Sequence, residues 1–193
     1  TIFIYVICTC FLIYLVFQGH ITIPVWIALF WIIALFTTVN AVSKSFIKDA
    51  NEQFYYLRTI ASPTEIIISK IIYNAILITV LALVIYAFLF LFFNESIEDK
   101  GWFLFTIILG SIGFSNLFTL LSFITSRTQN FVLLAILGFP IILPLLLLIV
   151  KMSELSNFAI QQKDIYMHLG AIALLDMITV ILSVVLFPYI WKD

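Results

Sequence analysis

The sequence predicts an all-α integral membrane protein with six transmembrane helices. Of its 193 residues, 64% are hydrophobic and 10% are charged, and the mean hydropathy is +1.24. Soluble domains are roughly half apolar and a quarter charged. The apolar stretches are continuous and approach the ~20 residues that cross a bilayer as a helix. They lack the alternation of a membrane β-barrel. We therefore expect a single membrane domain over residues 1–193 and no soluble domain.

Six continuous apolar stretches justify the six predicted spans. They cover residues 1–17, 25–42, 66–93, 102–124, 131–150 and 167–189. The first stretch has no flanking positive charge, so we do not interpret it as a cleaved signal peptide, and we expect a further N-terminal cytoplasmic segment to precede it. Tryptophans near the span ends are expected to be interfacial anchors: Trp26, Trp31, Trp102 and Trp191.

The distribution of basic residues predicts the orientation. Six lie on the side of the loop after the second span: Lys44, Lys48, Arg58, Lys70, Arg127 and Lys192. Three lie on the other side: Lys100, Lys151 and Lys163. The positive-inside bias places both chain ends and the loop in the cytoplasm. The formal net charge of −1 gives no reason to expect a nucleic-acid partner.

The loop after the second span is patterned as a surface helix. Over residues 43–62, apolar side chains recur every four residues from Val42 through Phe46 and Ala50 to Phe54. This spacing predicts a two-faced helix on the membrane surface.

A helix-start signature follows at residues 62–65. Ser62 is a favoured N-cap residue, Pro63 suits the first helical position, and Glu65 completes a capping box. No helix breaker occurs from Pro63 to Phe93. About 31 residues rise about 46 Å as a helix, which exceeds the ~30 Å hydrocarbon layer. The third helix is therefore predicted to project into the cytoplasm.

The surface helix, a tight turn and the projecting helix together predict a cytoplasmic coupling region over residues 43–65. Aromatic residues and Arg lie near its tip: Phe54, Tyr55, Tyr56 and Arg58. These residue types are enriched at protein interfaces. They also anchor loops to lipid headgroups. The sequence leaves open whether the region docks a soluble partner or the bilayer.

Motifs for catalysis are missing from the sequence. No G-x-x-x-x-G-K-[ST] phosphate loop occurs, so we expect any ATP to be bound by a partner chain. The G-x-S-x-G and H-E-x-x-H motifs and paired intramembrane aspartates are absent as well. A non-enzymatic subunit is the preferred interpretation, with a passive scaffold as an alternative.

Three isolated polar residues are candidates for function. Asp176 is the one acidic residue well inside a span, which makes it a functional candidate. It could equally be a protonated, hydrogen-bonded packing residue. His20 and His168 are predicted on one aqueous side and are compatible with axial heme ligation. We nevertheless interpret both histidines as ordinary interfacial residues.

Two features predict departures from straight, widely spaced helices. Pro140 and Pro144 lie four residues apart, and the fifth span is predicted to bend or break there. The "GSIGFS" segment at residues 110–115 supplies small residues for close helix packing in the fourth span. Beyond the fifth span, a short external helix is predicted over residues 151–166.

Four blocks resemble the heme exporter protein B family, CcmB. They are "ALFWIIALFTTVNAVSKSF" (28–46), "YYLRTIASPTEIIISKIIYN" (55–74), "LGSIGFSNLFTLLSFIT" (109–125) and "LGFPIILPLLLL" (137–148). The cytoplasmic Ser-Pro block followed by the F-P-x-x-x-P pair is the most specific feature. The resemblance covers about residues 24–150.

The resemblance implies an ABC-2 (type V exporter-like) permease bundle in the bacterial inner membrane, with a coupling helix between helices 2 and 3. The coupling role would fall on about residues 51–65. The implied ATPase contacts are Phe54, Tyr55, Tyr56, Arg58, Ser62, Pro63 and Glu65.

The implied partners are an ABC ATPase subunit that binds ATP, a second permease copy, a heme-handling membrane protein and a periplasmic heme chaperone. ATP hydrolysis would drive release of the heme-loaded chaperone or export of heme. Heme is thus a possible cargo, and we expect no cofactor bound by this chain. An ABC-2 permease for a lipid, glycan or drug is the alternative.

Overall fold

The computed structural model describes residues 2–18, 20–47, 62–93, 97–126, 131–156 and 162–192. Within these ranges the chain forms six α-helices and no β-strand. They are α1 (Ile2–Phe17), α2 (Ile23–Ile47), α3 (Pro63–Phe93), α4 (Lys100–Ser126), α5 (Phe131–Leu155) and α6 (Gln162–Lys192). The described part of each predicted apolar stretch lies in one of these helices, which confirms the all-helical prediction.

The helices α2 to α6 are long and apolar enough to cross a membrane. The helix α1 is apolar but has 16 residues, which rise about 24 Å and fall short of the ~30 Å hydrocarbon layer. The chain is therefore a multi-pass membrane protein with five full-length candidate spans and one shorter apolar helix among the described residues.

Neither predicted surface helix begins as a separate helix in the parts that the structure describes, and the coupling helix over the remaining residues stays a prediction. Residues 43–47 continue α2 instead of starting a new helix, while residues 48–61 lie outside the described ranges. The predicted external helix over residues 151–166 is divided between the end of α5 and the start of α6. A helix does not have to end where its sequence becomes polar, because its backbone hydrogen bonds also hold outside lipid.

The helix α4 lies at the centre of the bundle and contacts α2, α3, α5 and α6. In the most apolar stretch of α4, 78% of the residues are buried, whereas in the corresponding stretch of α6 11% are buried. Small side chains on α4 explain its position, because they let neighbouring helices approach closely. The predicted close packing at residues 110–115 is confirmed by the contacts of Gly110 and Gly113 described below.

Side-chain contacts fix how α2 and α3 run beside α4. The rings of Trp31 and Phe114 are 5.6 Å apart, and Ser122 Oγ donates to the Val42 carbonyl over 3.4 Å. From the first contact to the second, the residue numbers increase in both helices, so α2 and α4 are parallel. Asn74 pairs with Thr119 and Tyr86 with Phe103, so α3 runs antiparallel to α4.

The bundle half in which α2 and α4 begin is rich in buried rings, and we call it the aromatic half. The Trp26 ring lies 6.0 Å from Phe30 and 5.5 Å from Phe103. Trp26 and Trp31 are 1% and 0% exposed, so the prediction that they are interfacial anchors is wrong. Their rings fill the interior between α2, α3 and α4 rather than meeting lipid headgroups.

Candidate functional site

The start of α3 is fixed by the predicted capping box. The Ser62 N–H donates to Glu65 Oε2 over 2.8 Å, and the Glu65 N–H donates to Ser62 Oγ over 3.4 Å. The Ser62 carbonyl accepts the Ile66 N–H at 3.2 Å. These bonds satisfy backbone groups that a helix start otherwise leaves without partners. The cap is confirmed, and it defines where the long third helix begins.

Directly after the cap, α3 packs against the last turns of α4 and α6. Ile66, Ile67 and Ile71 form a buried cluster with Phe123 and Phe187. We call these five residues the base cluster. The Phe123 and Phe187 rings are 4.3 Å apart, and the cluster is separate from the main core. The start of α3 therefore contacts two other helices at once.

The structure describes the two ends of the predicted coupling region, residues 43–47 at the end of α2 and residues 62–65 at the start of α3. Ser62 and Glu65 lie in the cap, and Pro63 is the first residue of α3. The remaining predicted contacts lie outside the described residues: Phe54, Tyr55, Tyr56 and Arg58.

Asp176 lies on the side of α6 that packs against α4, in line with buried Ile172 and Ser183. A Cβ added to Gly113 would come within 2.6 Å of Asp176 Oδ1 and 2.9 Å of a Leu145 methyl group. Glycine at 113 therefore makes the room that the Asp176 side chain occupies. Within the described ranges no cation lies at ion-pair distance from Asp176. Its role stays a prediction.

The prolines of α5 do not break the helix, which is continuous over Phe131–Leu155. The predicted break is therefore wrong, while the predicted bend stays a prediction. Pro140 and Pro144 are exposed on the outer face of the bundle. On the inner face, a Cβ added to Gly138 would lie 2.6 Å from the Phe118 ring, so this glycine lets α5 approach α4 closely.

Sequence reasoning missed a contact that joins α2, α4 and α5. The Trp31 Nε1–H donates to Ser153 Oγ over 2.9 Å, and Ser153 Oγ donates to the Ile149 carbonyl over 2.8 Å. A Cβ added to Gly110 would lie 2.6 Å from the Trp31 ring. The sequence feature that could have predicted this contact is the indole N–H of Trp31, because a buried indole donor requires a hydrogen-bond partner.

Both histidines, His20 and His168, lie at the outer end of the aromatic half of the bundle. His20 directly precedes α2, and its Nδ1 lies 3.0 Å from the Gln18 carbonyl oxygen. His168 lies near the start of α6, where Tyr166 meets Trp102 at a ring distance of 6.2 Å. The two histidines thus lie at the same end of the bundle, as predicted. Heme ligation by either histidine stays untested.

The profile of the family described as "CcmB protein" matches residues 2–190. The chain belongs to the CcmB family. This confirms the resemblance to heme exporter protein B and extends it through α6, beyond the blocks that suggested it. No curated protein and no solved structure matches the sequence.

Membership of CcmB, together with the apolar helices, identifies a multi-pass membrane protein of the ABC transporter class in heme transport and cytochrome c biogenesis. CcmB is a permease component of an ABC transporter, a kind of subunit that is generally non-catalytic. The assignment does not favour the alternative cargoes, a lipid, a glycan or a drug.

Proposed function

We propose that this CcmB chain converts the motion of a separate ABC ATPase into release of a heme-loaded periplasmic chaperone or export of heme. The single observation that carries the proposal is the family match over residues 2–190. The capped start of α3 supports it, because it provides an ordered helix end beside the predicted docking segment.

The first step of the proposed mechanism is docking of the ATPase on the coupling region, residues 43–65, which runs from the end of α2 to the start of α3. Aromatic residues and Arg suit such an interface, and they occur at Phe54, Tyr55, Tyr56 and Arg58. The Ser62–Glu65 cap holds the first turn of α3 together, so a displacement of the docking segment moves the helix instead of unwinding it.

The second step passes through the base cluster. Ile67 is 0% exposed and packs with Phe123 of α4 and Phe187 of α6. Close-packed side chains transmit displacement because the interior has little free volume. Movement of the start of α3 is therefore shared with α4 and α6.

The third step carries the movement to the opposite end. The helix α4 contacts four neighbours along its length, and its first turns join the aromatic half through Phe103. There the Asp99 N–H donates to the Ser156 carbonyl over 3.2 Å, which connects the loop before α4 to the end of α5. The heme-handling membrane protein and the periplasmic chaperone would meet this end.

The proposal places the chain in the bacterial inner membrane with both ends in the cytoplasm, beside a second permease copy. Labelling of a single cysteine tests this orientation. In a variant with Cys8→Ala and Cys10→Ala, Tyr56→Cys should react with a membrane-impermeant thiol reagent only after the cells are opened. Reaction in intact spheroplasts would place the loop in the periplasm and exclude the mechanism.

Introducing a negative charge into the loop tests docking. Arg58→Asp and Tyr56→Asp should abolish copurification of the ATPase in mild detergent and lower c-type cytochrome levels, while the permease stays inserted. The matched control is Lys151→Asp, a charge reversal at the opposite end of the bundle. ATPase retained by both loop variants would contradict the assignment.

Cargo is tested separately. A heme absorbance band in the purified complex, together with a defect limited to c-type cytochromes, would support heme handling. Loss of a lipid, glycan or drug export activity with normal cytochromes would contradict it.

A further inference from the structure

Four buried polar atoms have no hydrogen-bond partner within the described residues and lie in the half of the bundle opposite the aromatic half. They are Thr37 Oγ1, Asn74 Oδ1, Ser115 Oγ and Asn116 Oδ1. Their residues are between 0% and 2% exposed. An unsatisfied buried polar group costs about 1–3 kcal/mol, so four at one depth require an explanation.

The hydroxyl groups in this set differ from those around them. Ser and Thr inside a helix usually donate to the carbonyl four residues earlier. Ser111 does so to Ile107, and Thr38 does so to Ala34. The Ser115 and Thr37 hydroxyls make no such bond. Their donor and acceptor capacity is therefore available to a ligand.

Three of the four atoms belong to one contact between α3 and α4. Asn74 Nδ2 donates to Thr119 Oγ1 over 2.9 Å. Asn116 and Ser115 precede Thr119 by three and four residues, which places all three on one helix face. The unpartnered end of the Asn74 amide therefore lies beside this face of α4. Exchanging the amide oxygen and nitrogen of Asn74 would still leave one end without a partner.

Thr37 lies at the same depth on α2. It comes six residues after Trp31, which meets Gly110 and Phe114 on α4, and five before Val42, which meets Ser122. Because α2 and α4 are parallel and both rise ~1.5 Å per residue, Thr37 is level with the segment between Ser115 and Thr119.

The chemistry of the four atoms selects the ligand. Two are amide oxygens that only accept hydrogen bonds, and two are hydroxyl oxygens that accept or donate. None carries charge, so the set offers no countercharge for either a bare cation or an anion. Water donates two hydrogen bonds and accepts others, and buried water typically makes about three.

We propose that Asn74, Ser115, Asn116 and Thr119 form an internal hydration site between α3 and α4, bordered by Thr37 of α2. Water held there joins the amide oxygens of Asn74 and Asn116 and the Ser115 hydroxyl. The site lies within the membrane-spanning part of the bundle, about ten residues from the start of α3 and the end of α4.

Water-edited solid-state NMR of the full chain in deuterated lipid bilayers tests the proposal. Side-chain ¹⁵N signals of Asn and Trp are detected after magnetisation transfer from water protons. The Trp31 indole is the dry reference, because it is buried and already bonded to Ser153. Asn74 and Asn116 should receive magnetisation several-fold faster than Trp31. Build-up at both amides as slow as at Trp31 would overturn the site.

A variant tests whether the water is shared. Asn74→Leu removes one acceptor and should slow the build-up at Asn116 towards that of Trp31, whereas Ser69→Ala, outside the site, should leave it unchanged. If Asn74→Leu does not insert, Asn74→Ser shortens the same side chain and serves instead. Unchanged transfer at Asn116 in the Asn74 variant would contradict a common site.

Discussion

The two halves of α4 are packed by different physical means. In the aromatic half, large rings fill spaces left by glycine, as Trp31 does against Gly110, and the Trp31 donor is satisfied by Ser153. In the opposite half, which we call the polar half, Asn74 and Asn116 are buried with acceptors that no described residue satisfies. Trp26 Nε1 is the exception in the aromatic half, where it also has no partner among the described residues.

The comparison indicates that rings pack against glycines in both halves, as Phe118 does against Gly138 in the polar half, and that the polar half adds buried amides without described partners. Interlocked rings and glycines tolerate little change in volume, because a close-packed interior cannot absorb extra atoms. Polar pairs instead tolerate replacement of both members by apolar groups, but not the loss of one. The two halves should therefore respond differently to substitution.

The largest effect is expected at Trp31. Trp31→Ala removes the ring that joins α2, α4 and α5 and should lower the free energy of unfolding by about 3–5 kcal/mol. Reversible unfolding in mixed micelles would measure the change. Trp102→Ala is the control, because Trp102 is only half-buried. Equal losses in both variants would contradict the shape-based account of the aromatic half.

A glycine pair sharpens the same point. Gly110→Ala should destabilise by about 1–3 kcal/mol, because the new methyl group meets the Trp31 ring and Ile149. The methyl group added by Gly170→Ala on α6 meets nothing within 4 Å. This variant should therefore raise the free energy of unfolding by about 0.5–1 kcal/mol through helix propensity. Similar thermal midpoints for the two variants would show that the Gly110 contact is not tight.

The cap of α3 should show a smaller, local effect. Ser62→Ala removes the acceptor for the Glu65 N–H and should cost about 1 kcal/mol. Hydrogen exchange should speed up in the first turn of α3 and stay unchanged near Asn74. Ser69→Ala is the control, because Ser69 donates to the Ile66 carbonyl within the helix and caps nothing. Exchange that increases equally in both variants would exclude a capping role.

The smallest effect is expected in the polar half. Asn74→Leu combined with Thr119→Val removes both partners of one hydrogen bond and should change stability by less than about 1 kcal/mol. Thr119→Val alone leaves the Asn74 amide with a further unpaired group and should cost more. A double variant less stable than this single variant would mean that the Asn74 side chain is needed for its shape.

Local patterns in the sequence predicted the local structure well. The Ser62–Glu65 cap depends on residues three positions apart, so its geometry follows from the helix itself. The apolar stretches located all six helices. The end of α2 was predicted too early, because residues 43–47 look polar although the helix continues through them. The sequence did not decide whether Pro140 and Pro144 break α5. That depended on whether the helix keeps the backbone hydrogen bonds that the prolines do not remove.

By itself the sequence determined that the chain is a helical membrane protein, where α3 begins, and to which family it belongs, since lipid demands apolar helices and capping is local. Tertiary structure alone decided that Trp31 is buried against Gly110, that Asp176 fits over Gly113, and that Asn74 meets Thr119. These contacts join residues that are distant in sequence, and each depends on the rotation of one helix against another, which the hydrophobic pattern of a nearly all-apolar helix does not specify.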